Sequence, residues 1–210
     1  MNRLEFVTIL QQRCGNRDDL SAVILSELSF VQKTILEGTG AFTPWFLQSE
    51  PTNLVTVAGI ATVDYPSDYL GELEDNMLWY QDSEGTWHKL NKKSYDYILE
   101  KNLDPGPPQY FAVGASKFYI GPVPDAVYIL RFRYYARDDE VAADGDTNLW
   151  LTYAPDLVLA EVGVRICRFH TRDSAGRDEF LQEIDTARQR LFVAHEARQN
   201  VNRVYGMGED

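Results

Sequence analysis

Apolar residues fall at helical spacing at both ends of this 210-residue chain, and that spacing vanishes between residues 42 and 151. Neither end has enough apolar surface to fold on itself, so the two ends have to meet. Leu4, Val7 and Leu10, with Cys14 four residues on, share one face of a short helix, and Gly15-Asn16 stops it. Leu20, Val23, Ile24, Leu28, Val31 and Ile35 line a second helix. Asp18 and Asp19 stand where a helix N-terminus favours negative charge, and Gly38 is a natural C-terminal stop. These two helices are expected to form an antiparallel hairpin.

Periodicity returns at Pro155, which the first turn of a helix tolerates because that N–H has no intrahelical partner. Leu157, Leu159, Ala160, Val164, Ile166 and Cys167 make this helix apolar on more than one side, as a central buried helix requires. Asp173-Ser174-Ala175-Gly176 breaks it. Phe180, Ile184, Ala187, Leu191 and Ala194 then line a long amphipathic helix, and Asn200 to Asp210, with Gly206 and Gly208, reads as an extended tail.

The middle has β texture. Pro44 and Pro51 exclude a continuing helix. Thr52 to Val63 alternates around Gly59 and reads as two short strands or one bulged strand. Ser83-Glu84-Gly85 separates Met77–Tyr80 from Thr86–Leu90 as a hairpin. Ser94 to Lys101 suits a short helix. Tyr110–Val113, Lys117–Ile120 and Val127–Tyr135 read as further strands. The expected fold is therefore α+β: a four-helix bundle from both chain ends (1–41 and 152–199), an inserted antiparallel β subdomain (42–151) and an extended tail (200–210).

Charge narrows the function. The net charge is -12, and residues 34–88 hold nine acids and no Lys or Arg. Ordinary nucleic-acid binding needs a cationic footprint, which this stretch lacks. No apolar run approaches the ~18 residues of a membrane span, and Met1-Asn2-Arg3-Leu4-Glu5 has no signal-peptide character. Cys14 and Cys167 are far apart in sequence; a disulfide is open, with buried free thiols the favoured reading.

Recognisable catalytic and metal patterns are missing. His88, His170 and His195 include no i, i+4 pair, and neither cysteine belongs to a C-x-x-C. Asp144, Asp146 and Asn148 are spaced like the first EF-hand ligands, but Leu149 replaces the required glycine and Pro155 the twelfth-position glutamate. That loop is better read as capping the next helix through Asn148 or Thr147. There is no G-x-S-x-G and no phosphate-binding loop. The aromatic residues of the middle region read chiefly as a β core, with a minority available as interface anchors.

Several segments in order carry a resemblance: Trp45-Phe46-Leu47, Pro66-Ser67-Asp68-Tyr69, Pro122-Val123-Pro124, Tyr134-Tyr135, and Asn148-Leu149-Trp150-Leu151 leading to Pro155. Together they resemble the head–tail adaptor (connector) proteins of tailed phages, of the tail tubular protein A type. The resemblance implies a structural virion protein and not an enzyme, with no cofactor or metal, made in the host cytoplasm. It implies a homo-oligomeric ring, usually of about twelve subunits, closed by heterologous contacts. Its partners would be the portal protein above and a tail or nozzle protein below, with no membrane. Double-stranded DNA would pass through without specific binding, helped by an acidic lining. The C-terminal segment would reach the portal, with Val201, Arg203, Val204, Tyr205 and Met207 as contacts. Two other classes compete: a virion-associated hydrolase using paired carboxylates, and a monomeric tail-completion protein.

Overall fold

The computed structural model describes residues 1–37, 43–73, 78–101 and 104–205, the last seven by backbone alone. The chain divides into two compact units. Met1–Leu47 and Asp138–Asp210 form a helical unit, and Gln48–Arg137 form a β unit.

In the helical unit, α1 (Arg3–Arg13) begins with a reciprocal cap. The Asn2 side chain accepts the Glu5 N–H (2.8 Å) and the Glu5 carboxylate accepts the Asn2 N–H (2.9 Å). Its buried face is Phe6, Val7 and Leu10. Leu4, expected inside, is 54% exposed, because Phe6 and Leu10 at i, i+4 set the stripe. Asp18 and Asp19 form a 3-10 turn rather than a side-chain cap, and Asp19 instead takes a two-pronged hydrogen bond from Arg17. Helix α2 (Ser21–Phe30) passes into a π-helical turn at Val31–Leu36. Gly38, the expected stop, lies outside the described residues.

A short helix, α4 (Leu149–Tyr153), precedes α5 (Pro155–Arg165). Asn148 caps α4 by accepting the Leu151 N–H at 2.9 Å. Every residue from Leu157 to Gly163 on α5 is buried, so α5 is central: α1, α2, α4 and α6 (Ser174–Tyr205) all touch it. A second π-helical turn, Ile166–Thr171, follows α5, and Asp173 accepts the N–H groups of Ala175 and Gly176 to start α6. The helix backbone continues to Tyr205, six residues into the segment expected as an extended tail.

The β unit holds three sheets. The first has the order β1 (Thr52–Val55), β9 (Ile129–Phe132), β4 (Leu78–Gln81), β5 (Trp87–Lys89). The second has the order β2 (Thr62–Asp64), β8 (Lys117–Gly121), β7 (Tyr110–Val113), β6 (Asn91–Lys92). The third pairs β10 (Tyr134–Ala136) with β3 (Tyr69–Glu72). All ladders are antiparallel except β6 with β7, where α3 (Tyr95–Lys101) lies in the connection that a parallel pair needs. One core serves all three sheets: Val63, Leu78, Leu90, Phe111, Phe118, Ile120, Leu130, Phe132 and Tyr134.

This architecture corrects the expected four-helix bundle with one inserted antiparallel β subdomain. The described residues form an α+β protein with six α-helices, ten strands and three sheets. A helix buried on all sides cannot occupy one corner of a four-helix bundle; it needs neighbours all round, and α4 supplies one that the periodicity did not separate from α5. The β region splits because its strands change partners at chain bends. Thr52–Val55 joins β9 while Thr62–Asp64 joins β8, and the expected strand Val127–Tyr135 breaks at Arg133 between two sheets.

Candidate functional site

The acidic loop of the helical unit is built from turn chemistry. The Asp146 carboxylate accepts the N–H groups of Ala142 and Ala143 (3.1 and 2.7 Å), and Asp138 accepts the Trp150 N–H (2.9 Å). Asn148 donates to the Gln32 side chain (3.1 Å) and to the Asp139 carbonyl (2.9 Å), and Gln32 donates to the carbonyls of Asp138 and Asp139. The Asp146 and Asp138 carboxylates thus accept backbone N–H groups of the loop and of the following helix. Among the described residues no cluster of three His, Cys, Asp or Glu could hold a metal.

Two further carboxylates of this unit, buried Glu161 and half-buried Glu27, are also engaged. Glu161 accepts from Arg188 at 2.6 Å. Glu27, on α2, accepts from Arg165 and, at 3.0 Å, from His170. Burial works to raise the Glu27 carboxyl, but the hydrogen bonds and charges of Arg165 and His170 prevail and hold it below the usual carboxylate range. Arg165 also stacks on Phe30 (4.0 Å to the ring centre) and reaches Phe169 (5.1 Å). Phe30 and Phe169 are both exposed, so this corner presents aromatic faces bracketing a cation.

The Trp45-Phe46-Leu47 segment forms a 3-10 turn against α4. Phe46 stacks on Tyr153 (5.3 Å) and meets Trp150 edge-on (5.0 Å), while Arg198 of α6 covers Trp45 (4.4 Å). In the β unit, Pro66 to Tyr69 is a turn closed by the Tyr69 N–H on the Pro66 carbonyl (3.1 Å). Tyr134 donates to the Asp68 carboxylate (2.8 Å), and burial with this partner pushes the Tyr134 phenol up to about 12. Both sequence segments are therefore structural joints.

The acidic stretch changes character once folded. Asp64 pairs with Lys117, Glu72 with Lys92, and Asp82 with His88. The β unit has twelve acids and eight bases in sequence, a net charge of -4. Glu74 and Asp75 lie outside the described residues.

The β unit does expose one apolar tip. Val55 and Ile129 are cross-strand partners, and Val57 bridges to Ile60 around Gly59, whose φ of +78° a side chain would disfavour. With Val127, these residues are between 40% and 66% exposed. The tip is pinned from within. Buried Thr56 donates to the Tyr128 and Ala126 carbonyls and accepts the Tyr128 N–H, and the Gly59 N–H reaches the Pro124 carbonyl (2.8 Å). Scattered exposed aliphatics are ordinary, but five on one tip, with exposed Asp125 at its border, form a patch of the kind that partners cover. The sequence carried a signal for it: Thr52–Thr62 and Ala126–Leu130 are rich in β-branched residues with no charge between them.

The tail contacts implied by resemblance fall at the edge of the described chain. Val201, Arg203, Val204 and Tyr205 lie on the last turns of α6, where only the backbone is described, and Met207 lies outside the described residues. No helix among the described residues is long and apolar enough to cross a membrane.

Compared with known families, residues 1–206 match the family described as SU10 adaptor protein. No curated protein matches the chain.

Proposed function

Because the chain belongs to the SU10 adaptor protein family, a family of phage adaptor proteins, we propose that it is a subunit of a ring at the head–tail junction of a tailed-phage virion. In this reading it bridges the portal and the tail or nozzle protein and extends the DNA channel. The observation that carries the proposal is the extent of the family match, 1–206, which spans both units rather than one. The role is structural, with the ring closing through two different faces of each subunit, as in the tail tubular protein A type, at about twelve copies. The β unit supplies the tail-side contacts, and its apolar tip gains most from burial against the tail protein. Residues 200–210 supply the portal contacts, and DNA passes without specific binding.

A net charge of -12 opposes self-association at low salt. The isolated protein is therefore expected to be monomeric or weakly associated, closing into a ring on a portal template. Native mass and negative-stain images of the protein alone and mixed with purified portal test this. Uniform rings seated on portal are the expected result. Failure to co-sediment with portal, with no ring under either condition, overturns it.

A further inference from the structure

The chain has two cysteines, near opposite ends of the sequence, and folding sets them against each other. Cys14 is the C-cap of α1 and Cys167 lies on the π-helical turn after α5; both are free and interact thiol to thiol. Their accessibility differs: Cys167 is 2% exposed, whereas Cys14 is half-buried and reachable from solvent. The surroundings hold the pair in place. Arg13, the neighbour of Cys14, stacks on Phe180 (4.1 Å) and forks onto Glu183 of α6 (3.0 and 2.6 Å). On the other side, a Cβ added at Gly176 would lie 3.2 Å from the Cys167 sulfur, so the first turn of α6 closes over that atom.

We propose that Cys14 and Cys167 are an oxidation site that forms an intramolecular disulfide when the protein passes from a reducing to an oxidising medium, tying the end of α1 to the turn between α5 and α6. The passage itself rests on the virion reading, since a particle assembled in cytoplasm is released outside the cell; the thiol chemistry does not. The oxidant is a small disulfide such as oxidised glutathione. The Cys14 thiolate attacks one of its sulfurs and expels one glutathione thiolate, leaving a mixed disulfide at Cys14. The Cys167 thiolate then attacks the Cys14 sulfur and expels the second. The two cysteine protons end on the two released thiolates, and the two electrons lost by the cysteines reduce the glutathione disulfide. Burial keeps Cys14 a thiol, pushed up to about 11; Cys167 and Asp173 add to this and Arg13 opposes it. The exchange is therefore slow at neutral pH and faster in alkali.

The full-length protein is incubated at low micromolar concentration with oxidised glutathione, quenched with acid, alkylated under denaturing conditions, and measured by intact mass and peptide mapping. The expected product has lost two hydrogens, takes up no alkylating agent and yields a Cys14–Cys167 cross-linked peptide. Its Tm rises on the order of 10 °C, because the bond closes most of the chain into a loop. Cys14→Ser and Cys167→Ser show neither change. A product that stalls as a glutathione adduct on Cys14, a dimer linked through Cys14, or two free thiols after prolonged alkaline exposure each overturns the proposal. Its failure leaves the ring experiment untouched, and a disulfide in a protein that forms no ring would leave this inference standing without its virion setting.

Discussion

Gly163 lets the Phe180 ring of α6 pack directly on the backbone of α5. A Cβ there would meet the Phe180 ring at 2.6 Å. Phe180 is buried, and Arg13 lies over its face, so the ring has little freedom to retreat. Alanine would gain about 1 kcal/mol of helix propensity over glycine, but overpacking of a closed core costs about 1–3 kcal/mol. Gly163→Ala is expected to lower stability by about 1 kcal/mol in urea melts. An unchanged or raised midpoint would show that the interface has slack. The cap at Asn148 belongs to the same scale: the polar residue just before an apolar helical run could be read from sequence. Its donation to Gln32 could not, because that partner lies more than a hundred residues away.

Two helices pass into π-helical turns, and the second carries the grip on the first: Arg165 closes α5, His170 sits on the following turn, and both hold Glu27 of α2. The Glu27 carboxyl is depressed in the folded protein. Its contribution to stability is therefore complete above the ordinary carboxylate pKa and is lost as pH falls through the lower folded value. Glu27→Gln is expected to destabilise the protein at neutral pH and to flatten part of the fall in stability on acidification. Urea melts of both proteins at a series of pH values check it; parallel curves would show that Glu27 adds nothing to acid sensitivity. That α2 and the α5–α6 turn meet at all was not visible in either helix alone, since each face carries ordinary charged and aromatic residues.

At the scale of the molecule, each unit has its own core. Gln48 pairs with Tyr135 and the Ser49 N–H binds the Tyr134 carbonyl (2.8 Å), so the chain enters and leaves the β unit side by side. Replacing residues 48–137 with a short glycine-rich linker is expected to leave a helical unit that melts cooperatively, because the closure penalty is small. Helical circular dichroism with a broad, non-cooperative melt would show that the β unit is needed for that core. Trp45-Phe46-Leu47 and Trp150 must stay, since they pack within the helical unit. For the proposed portal contact, deleting Asn200 to Asp210 is expected to abolish co-sedimentation with portal while leaving the melt intact, and Tyr205→Ala to weaken it more than Glu209→Ala. A side chain such as Tyr205 can bury on the order of 1.5–3 kcal/mol of apolar surface, multiplied around a ring by effective concentration. Binding at the wild-type level after truncation would move the contact to another face.

What the sequence determined by itself was local. The helix start at Pro155, the hairpin at Ser83-Glu84-Gly85, the short helix after Ser94 and the cap at Asn148 each depend on residues within a few positions, where spacing and backbone preference act directly. Ser174 to Gly176, read as part of a break, instead form the first turn of α6. The central placing of α5 was legible for the same reason: its apolar residues wrap the helix. Tertiary structure alone decided the rest. Strands of two to five residues carry too little pattern to name a partner, so complementarity across the core chose three sheets. A run of acids in sequence became pairs with Lys92, Lys117 and His88, because those bases arrive from strands whose pairing the run does not encode. Five aliphatics became one exposed tip, and two distant thiols became neighbours, since proximity between remote residues is a property of the packed chain and not of its order.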